Sequence, residues 1–142
     1  MNLTLRHIVD DQELGTAFVL MQELRPHLTD VDTFIAQVRR QAEQHYRLLG
    51  LWQEGTLQAL AGYRLQENLL YGRFLYVDDL ITVSTTRGQG LGAKLLDALK
   101  EEARGQQCAW FVLDTALGNA LGQRFYYRQG LLGAGMHFRQ PL

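Results

Sequence analysis

The run Arg87-Gly88-Gln89-Gly90-Leu91-Gly92 limits what this chain can fold into more than any other segment, because it joins a strand-like stretch to one of helical period. A helix start leaves backbone N–H groups without intrahelical partners and carries partial positive charge. It therefore holds a phosphate wherever the chain can wrap around the anion. Glycines allow that wrapping, since they reach positive φ and place no Cβ between backbone and ligand. Arg87 would add a charge-assisted contact or brace the loop. The same residues also suit a plain tight turn with a surface arginine. A P-loop is excluded, because Gly92 is followed by Ala93-Lys94-Leu95 and the Lys and hydroxyl positions are unfilled. A dinucleotide fingerprint needs Gly-x-Gly-x-x-Gly, whereas Gly88, Gly90 and Gly92 alternate. Asp114 lies at the distance such a fold would want, but a hairpin pattern precedes the run in place of an opening βαβ strand.

Periodicity lays out the rest. Leu3 to Ile8 alternates as a half-buried strand does. Asp10 or Asp11 can cap a first helix, with Leu14, Ala17, Phe18, Met21 and Leu24 on one face and Pro26 as its stop. Thr29 and Asp32 form a capping signal for a second helix, striped by Val31, Phe34, Ile35, Val38 and Ala42. Tyr46 to Gln53 and Leu57 to Leu65 read as strands joined at Glu54-Gly55-Thr56, and Phe74 to Val83 as a third, interrupted only by Asp78-Asp79. Leu91, Leu95, Ala98, Leu99 and Ala103 line a helix that Gly105 ends. Ala109 to Leu113 has the continuous apolar character of a central strand, a helix runs from about Asn119 to Gln129 before Gly130, and Met136 to Gln140 forms a last short strand. The fold class is mixed α/β (α+β): a mostly antiparallel sheet flanked by helices, in one domain over residues 1–142.

Fourteen Lys plus Arg against fifteen Asp plus Glu give a net charge of -1, so no general attraction draws this chain to nucleic acid or to anionic lipid. Any anion is caught locally. One cysteine, Cys108, excludes an internal disulfide and a thiolate-cluster metal site. No basic, apolar leader opens the sequence and no apolar run is long enough to cross a membrane, so a cytoplasmic location is expected. His7, His27, His45 and His137 lack the spacing of a metal site, and no metal is expected.

Three motifs in order, between about residues 74 and 139, resemble the GNAT superfamily of N-acetyltransferases. Arg87, Gly90 and Gly92 meet its pyrophosphate signature, with Gly88 at a position that is commonly glycine. Tyr76 to Val83 resembles its fourth strand, and Asn119, Phe125-Tyr126, Gly130 and Leu131 its last-helix pattern, with Leu131 in place of the usual Phe and Gly122 in place of Ala. The resemblance implies acetyl-CoA as cofactor, a GNAT-like acyl-CoA N-acyltransferase fold, and direct transfer to a primary amine in a ternary complex. It also implies cofactor contacts from Leu80, Ile81, Val83, Arg87, Gly88, Gln89, Gly90, Leu91, Gly92, Ala93 and Asn119.

An amine attacks a thioester only when unprotonated, so the site needs a base, a donor for the oxyanion and an acid for the leaving thiolate. The resemblance puts the Tyr126 phenol near the sulfur as general acid; packing on the last helix is its structural alternative. Tyr127 would point elsewhere on that helix. Asp78 or Asp79 is the candidate base, the two lying on opposite faces if the strand is regular. A backbone N–H near Leu80 or Ile81 would meet the oxyanion. Similar enzymes admit acceptors at the connection between the first two helices, which here carries Arg25 and His27. Cys108 has no base beside it and reads as inert. The expected partner is a small-molecule or peptide amine, with neither nucleic acid nor membrane involved, and the resemblance is compatible with a homodimer. Two other readings compete: a non-catalytic acyl-CoA binding or sensing module, and an interaction domain whose glycines only turn the chain.

Overall fold

In the computed structural model, which describes residues 2–142, the alternating N-terminal stretch forms β1 (Leu3–His7), followed by α1 (Asp11–Leu24) and α2 (Val31–Ala42). Asp10 caps α1 by accepting from the Glu13 amide at 2.7 Å. At α2 the cap is Asp30, which accepts from the Thr33 amide at 2.8 Å, not the expected Thr29. The carboxylate one residue on reaches the third helical N–H, so the helix starts at Val31.

Next come β2 (Tyr46–Gln53), β3 (Thr56–Asn68) and β4 (Gly72–Thr82), an antiparallel meander. Gln53 pairs with Thr56, leaving a two-residue loop in which Glu54 and Gly55 have φ of 50° and 81°. This is the twisted turn that suits a hairpin. Thr56 therefore opens β3 instead of belonging to the turn.

A 3-10 turn over Ser84–Thr86 leads to α3 (Leu91–Gly105), then β5 (Trp110–Leu113) and α4 (Ala120–Arg128). The sheet order is β1-β2-β3-β4-β5, so β5 is an edge strand and not the central one its apolar run suggested. Trp110 is 56% exposed. The Ala109 N–H donates to the Arg73 carbonyl at 2.7 Å, joining the starts of β5 and β4. Gly105 is the last residue of α3 rather than its terminator, and Gln107 takes the left-handed conformation with φ 61°. No strand forms over Met136 to Gln140; that segment is irregular, and Phe138 is exposed. Apolar alternation alone does not make a strand where no ladder pairs its backbone.

The chain divides into two compact units, Met1–Val112 and Leu113–Leu142. In the first, one sheet face carries Tyr46, Leu48, Trp52, Leu57 and Leu60, packed with Leu14, Ala17 and Met21 of α1 and Phe34 of α2. Leu49, Leu51, Ala59, Ala61, Leu75 and Val77 are buried on the other face, where α3 packs on β3 and β4 through Leu91, Leu95, Leu96 and Leu99. Each such leucine contributes about 1.5–3 kcal/mol by leaving water. Leu96 belongs to this stripe in place of Ala98, which is only partly buried.

Candidate active site

Asp78 and Asp79 sit where β4 departs from regularity. Gly62 of β3 pairs with Asp79, yet Tyr63 pairs with Val77, so Asp78 is an extra residue, a β-bulge. A bulge sets two consecutive residues against one partner and turns both toward the same side. The expectation of opposite faces is thereby corrected, and both carboxylates line one cavity of about 250 Å³. Arg25 and His27 line it too, as do Tyr46 from β2 and Gln37 and Gln41 from α2. The helix connection and the strand interruption, separate in sequence, thus meet in one place.

Each carboxylate is fully engaged. Arg64 grips Asp78 in a fork, Nε to Oδ2 and Nη2 to Oδ1, both at 2.8 Å. Asp79 accepts from Arg25 Nε at 3.1 Å and from the Tyr46 hydroxyl at 2.7 Å. Arg25 Nη2 also donates to the Asp78 carbonyl at 2.8 Å, which ties the end of α1 to the bulge. Burial raises the Asp78 carboxyl above the ordinary carboxylate range, and Arg64 opposes this only in part. Burial and the neighbouring Asp79 charge push the Tyr46 phenol well up, so it stays a donor. Gly62 makes the arrangement fit, because a Cβ there would stand 2.6 Å from Asp79 Oδ2 and from Tyr46 Cζ. Tyr46, Arg64 and Gly62 escaped the sequence reading. Tyr46 and Arg64 lie in strands that pair with each other, and only the register sets them opposite one another.

The glycine run is open. Gly88 and Gly90 have φ of 89° and 77°, and a Cβ built at either would meet nothing within 4 Å. Gly90 is the residue before α3, and no side chain caps that helix. The first amide to reach back is that of Lys94, to the Gly90 carbonyl at 3.1 Å. The N–H groups of Leu91, Gly92 and Ala93 therefore have no intrahelical partner and face the helix start. Gln89 is exposed and Leu91 buried, so the side chain of Leu91 anchors α3 while its backbone is presented. Arg87 reaches the Thr82 carbonyl at 3.5 Å and otherwise stands in solvent. A doubly charged diphosphate fits this cradle: uncapped donors, a positive helix end and no side-chain bulk.

Along the end of β4, the Val83 N–H donates to Gln58 of β3 at 2.8 Å. Backbone direction alternates along a strand, so Ile81 faces β3 as Val83 does, while the Leu80 amide points to the opposite edge.

In the second unit, Asn119 caps α4. Its Oδ1 accepts from the Gly122 amide at 3.0 Å and its Nδ2 donates to Thr115 Oγ1 at 3.1 Å. A Cβ at Gly122 would stand 2.8 Å from Asn119 Cγ, which explains why glycine occupies this position. Tyr126 is half-buried with its ring edge-on to Phe125, and burial raises its phenol above 10.0. Tyr127 is exposed, so the two phenols do face different surroundings. Gly130, with φ 91°, closes α4 as the Leu131 N–H returns to the Tyr126 carbonyl at 3.0 Å.

Burial pushes the Cys108 thiol up, the reverse of an activated nucleophile. His7 bonds the Tyr63 hydroxyl at 2.7 Å and His137 meets Asp114 at 2.9 Å, both local partners. Among the described residues, no helix is long and apolar enough to cross a membrane.

The model of the acetyltransferase (GNAT) family matches residues 12–131. The uncharacterized N-acetyltransferase YhdJ of Bacillus subtilis (strain 168) is 26% identical over 140 residues, 97% of this chain and 98% of that protein. The aminoalkylphosphonate N-acetyltransferase of Salmonella typhimurium (strain LT2) is 25% identical over 142 residues, 97% of this chain and 90% of that one. Among solved structures, the aminoglycoside N-acetyltransferase AAC(6')-Iy in complex with a CoA bisubstrate analog has a TM-score of 0.85 over 100% of both chains. At 15% identity that likeness is one of fold. The family match takes in the bulge and the glycine cradle alike: the chain belongs to the acetyltransferase (GNAT) family and is an acetyl-CoA-dependent N-acetyltransferase.

Proposed function

We propose that this chain acetylates the primary amine of a small molecule by direct attack in a ternary complex, with residues 1–142 working as one catalytic domain. The observation that carries the reading is the uncapped start of α3 behind two left-handed glycines with open space around them. The amides of Gly88 to Ala93 hold the pyrophosphate and Arg87 adds charge beside it. The outward edge of β4 at Leu80, flanked by Ile81 and Val83, takes the pantetheine arm, and the Leu80 N–H serves the oxyanion. Acetyl-CoA, when bound, supplies the thioester.

The Asp78 and Asp79 pair receives the amine proton. Burial makes Asp78 a stronger base than an ordinary carboxylate, and water carries the proton to it past the Arg64 fork. Tyr126 protonates the departing thiolate, and its raised phenol keeps that proton at neutral pH. Asn119 contributes by fixing the start of the helix that carries Tyr126.

A small acceptor is favoured over a peptide by the size of the cavity at the bulge, and the aminoalkylphosphonate N-acetyltransferase likewise takes a small amine by its name. A cytoplasmic setting suits a chain with a single cysteine. A homodimer accords with the family and is tested by sedimentation.

The deciding experiment combines calorimetric titration of acetyl-CoA with an amine screen read by thiol release and product mass. Binding with amine-dependent release supports the enzyme. Binding without turnover on any amine would leave a cofactor-sensing module instead.

A further inference from the structure

The cavity at the β4 bulge says more about the acceptor than that it is an amine. We propose that the acceptor is a short amine bearing an anionic group at its other end, with that anion held by Arg25 and His27. This rests on the acetyltransferase reading above and narrows it.

Size comes first. The cavity, about 250 Å³, lies below the roughly 300–1,000 Å³ of sites for drug-sized ligands. A peptide or an oligosaccharide would leave most of itself outside.

Charge decides the class. The two lining carboxylates have no oxygen without a donor: Asp78 is held by Arg64 on both oxygens, and Asp79 by Arg25 and Tyr46. Two guanidinium groups therefore balance two carboxylates. A second ammonium on the acceptor would find both carboxylates already paired with a guanidinium and would compete with Arg25 and Arg64 for them. An anion meets the opposite situation. Arg25 uses Nε and Nη2 on the bulge, leaving its Nη1 edge on a side chain that is 42% exposed. His27, exposed and two residues along the same connection, lines the same cavity. The lining also includes the apolar side chains of Met21, Leu28 and Val38, against which a short methylene spacer can pack. Gln37, whose Nε2 bonds Gln41 Oε1 at 2.9 Å, adds neutral polarity without adding charge.

Four acceptors with the same two-carbon spacer test the idea: β-alanine, aminoethylphosphonate, ethanolamine and ethylenediamine. The expected result is a kcat/KM for one or both anionic amines at least about tenfold above that for ethylenediamine, with ethanolamine between them. Preference within the anionic pair identifies the source as a carboxylate or a phosphonate. His27→Glu should raise KM for the anionic amines about tenfold while shifting that for ethanolamine less than about twofold. Arg25→Gln should act in the same direction, and His27→Glu keeps the test alive if loss of the Arg25 contacts unfolds the bulge. Ethylenediamine used as well as the better of the two anionic amines, or an equal KM change for charged and neutral acceptors, overturns the proposal while leaving the acetyltransferase intact. Absence of thiol release with every amine overturns both.

Discussion

Replacing Gly62 by alanine perturbs the site at its tightest point. The new Cβ would overlap the Tyr46 hydroxyl oxygen and lie 2.6 Å from Asp79 Oδ2 and from Tyr46 Cζ, whereas non-bonded heavy atoms prefer about 3.5–4.0 Å, so Asp79 must withdraw by about 1 Å and Tyr46 by more. Withdrawal of either strains the 2.7 Å bond between them. Forced overpacking costs about 1–3 kcal/mol. Leaving a phenol that is 4% exposed without its acceptor costs about 1–3 kcal/mol more. Replacing glycine inside a strand returns about 0.5–1 kcal/mol. The net loss is about 2–4 kcal/mol. Urea unfolding measures it: with m of about 1–3 kcal/mol/M, the midpoint falls by about 1 M or more at unchanged m. Tyr46→Phe relieves part of the crowding, so the double variant should be less destabilised than the two single losses added, by about 1 kcal/mol. In the folded fraction, acceptor KM should rise while acetyl-CoA affinity stays put. A Gly62→Ala protein within about 0.5 kcal/mol of the parent would refute the reasoning, because the close approach would then be illusory.

Gly90→Val forces a β-branched residue into φ 77°, at a cost of about 1–2 kcal/mol, and puts methyl groups where the anion belongs. Acetyl-CoA Kd should rise far more than kcat falls at saturating cofactor, and an unchanged Kd in a titration defeats the cradle. Tyr126→Phe should lower kcat by about 10²-fold. Because burial raises the phenol above 10.0 and an acid must be protonated to act, the parent should lose kcat/KM only above pH 10.0, and a Tyr126 limb below that value contradicts the assignment. Asp78 has a raised folded pKa, so the folded state holds its proton more tightly than the unfolded chain does. Its contribution to stability is full below the ordinary aspartate range and is lost as pH rises through the raised value. The parent should therefore lose stability relative to Asp78→Asn across that window in urea midpoints, and a pH-independent difference would count against a raised Asp78.

Much of this was written in local patterns. Asp10 as a cap, the apolar stripes of α1 and α3, and the positive φ of Gly88 and Gly90 all follow from neighbours a few residues apart. Thr29 misled because Asp30 competes for the same amides with a carboxylate, a stronger acceptor. Ala109 to Leu113 misled because an apolar run records burial on average and not position within a sheet. The cavity itself was half visible. Arg25, His27, Asp78 and Asp79 could each be singled out, but their union needs the bulge, and a bulge depends on how two strands pair. Tyr46 and Arg64 belong to that same class of information, since they enter the site only through cross-strand register.

The extra residue at Asp78 also sets the phase of everything after it. Before the bulge, even-numbered side chains such as Tyr76 share a surface with Arg64 of β3. After it, the odd-numbered Ile81 and Val83 take that surface and pack against the α1 and α2 core. Losing one residue here would rotate Ile81 and Val83 out of their packing and turn the Leu80 amide inward to β3. The aspartate pair is thus a frame-setting device beside its proposed chemical role, and substitution at either position should be far milder than deletion.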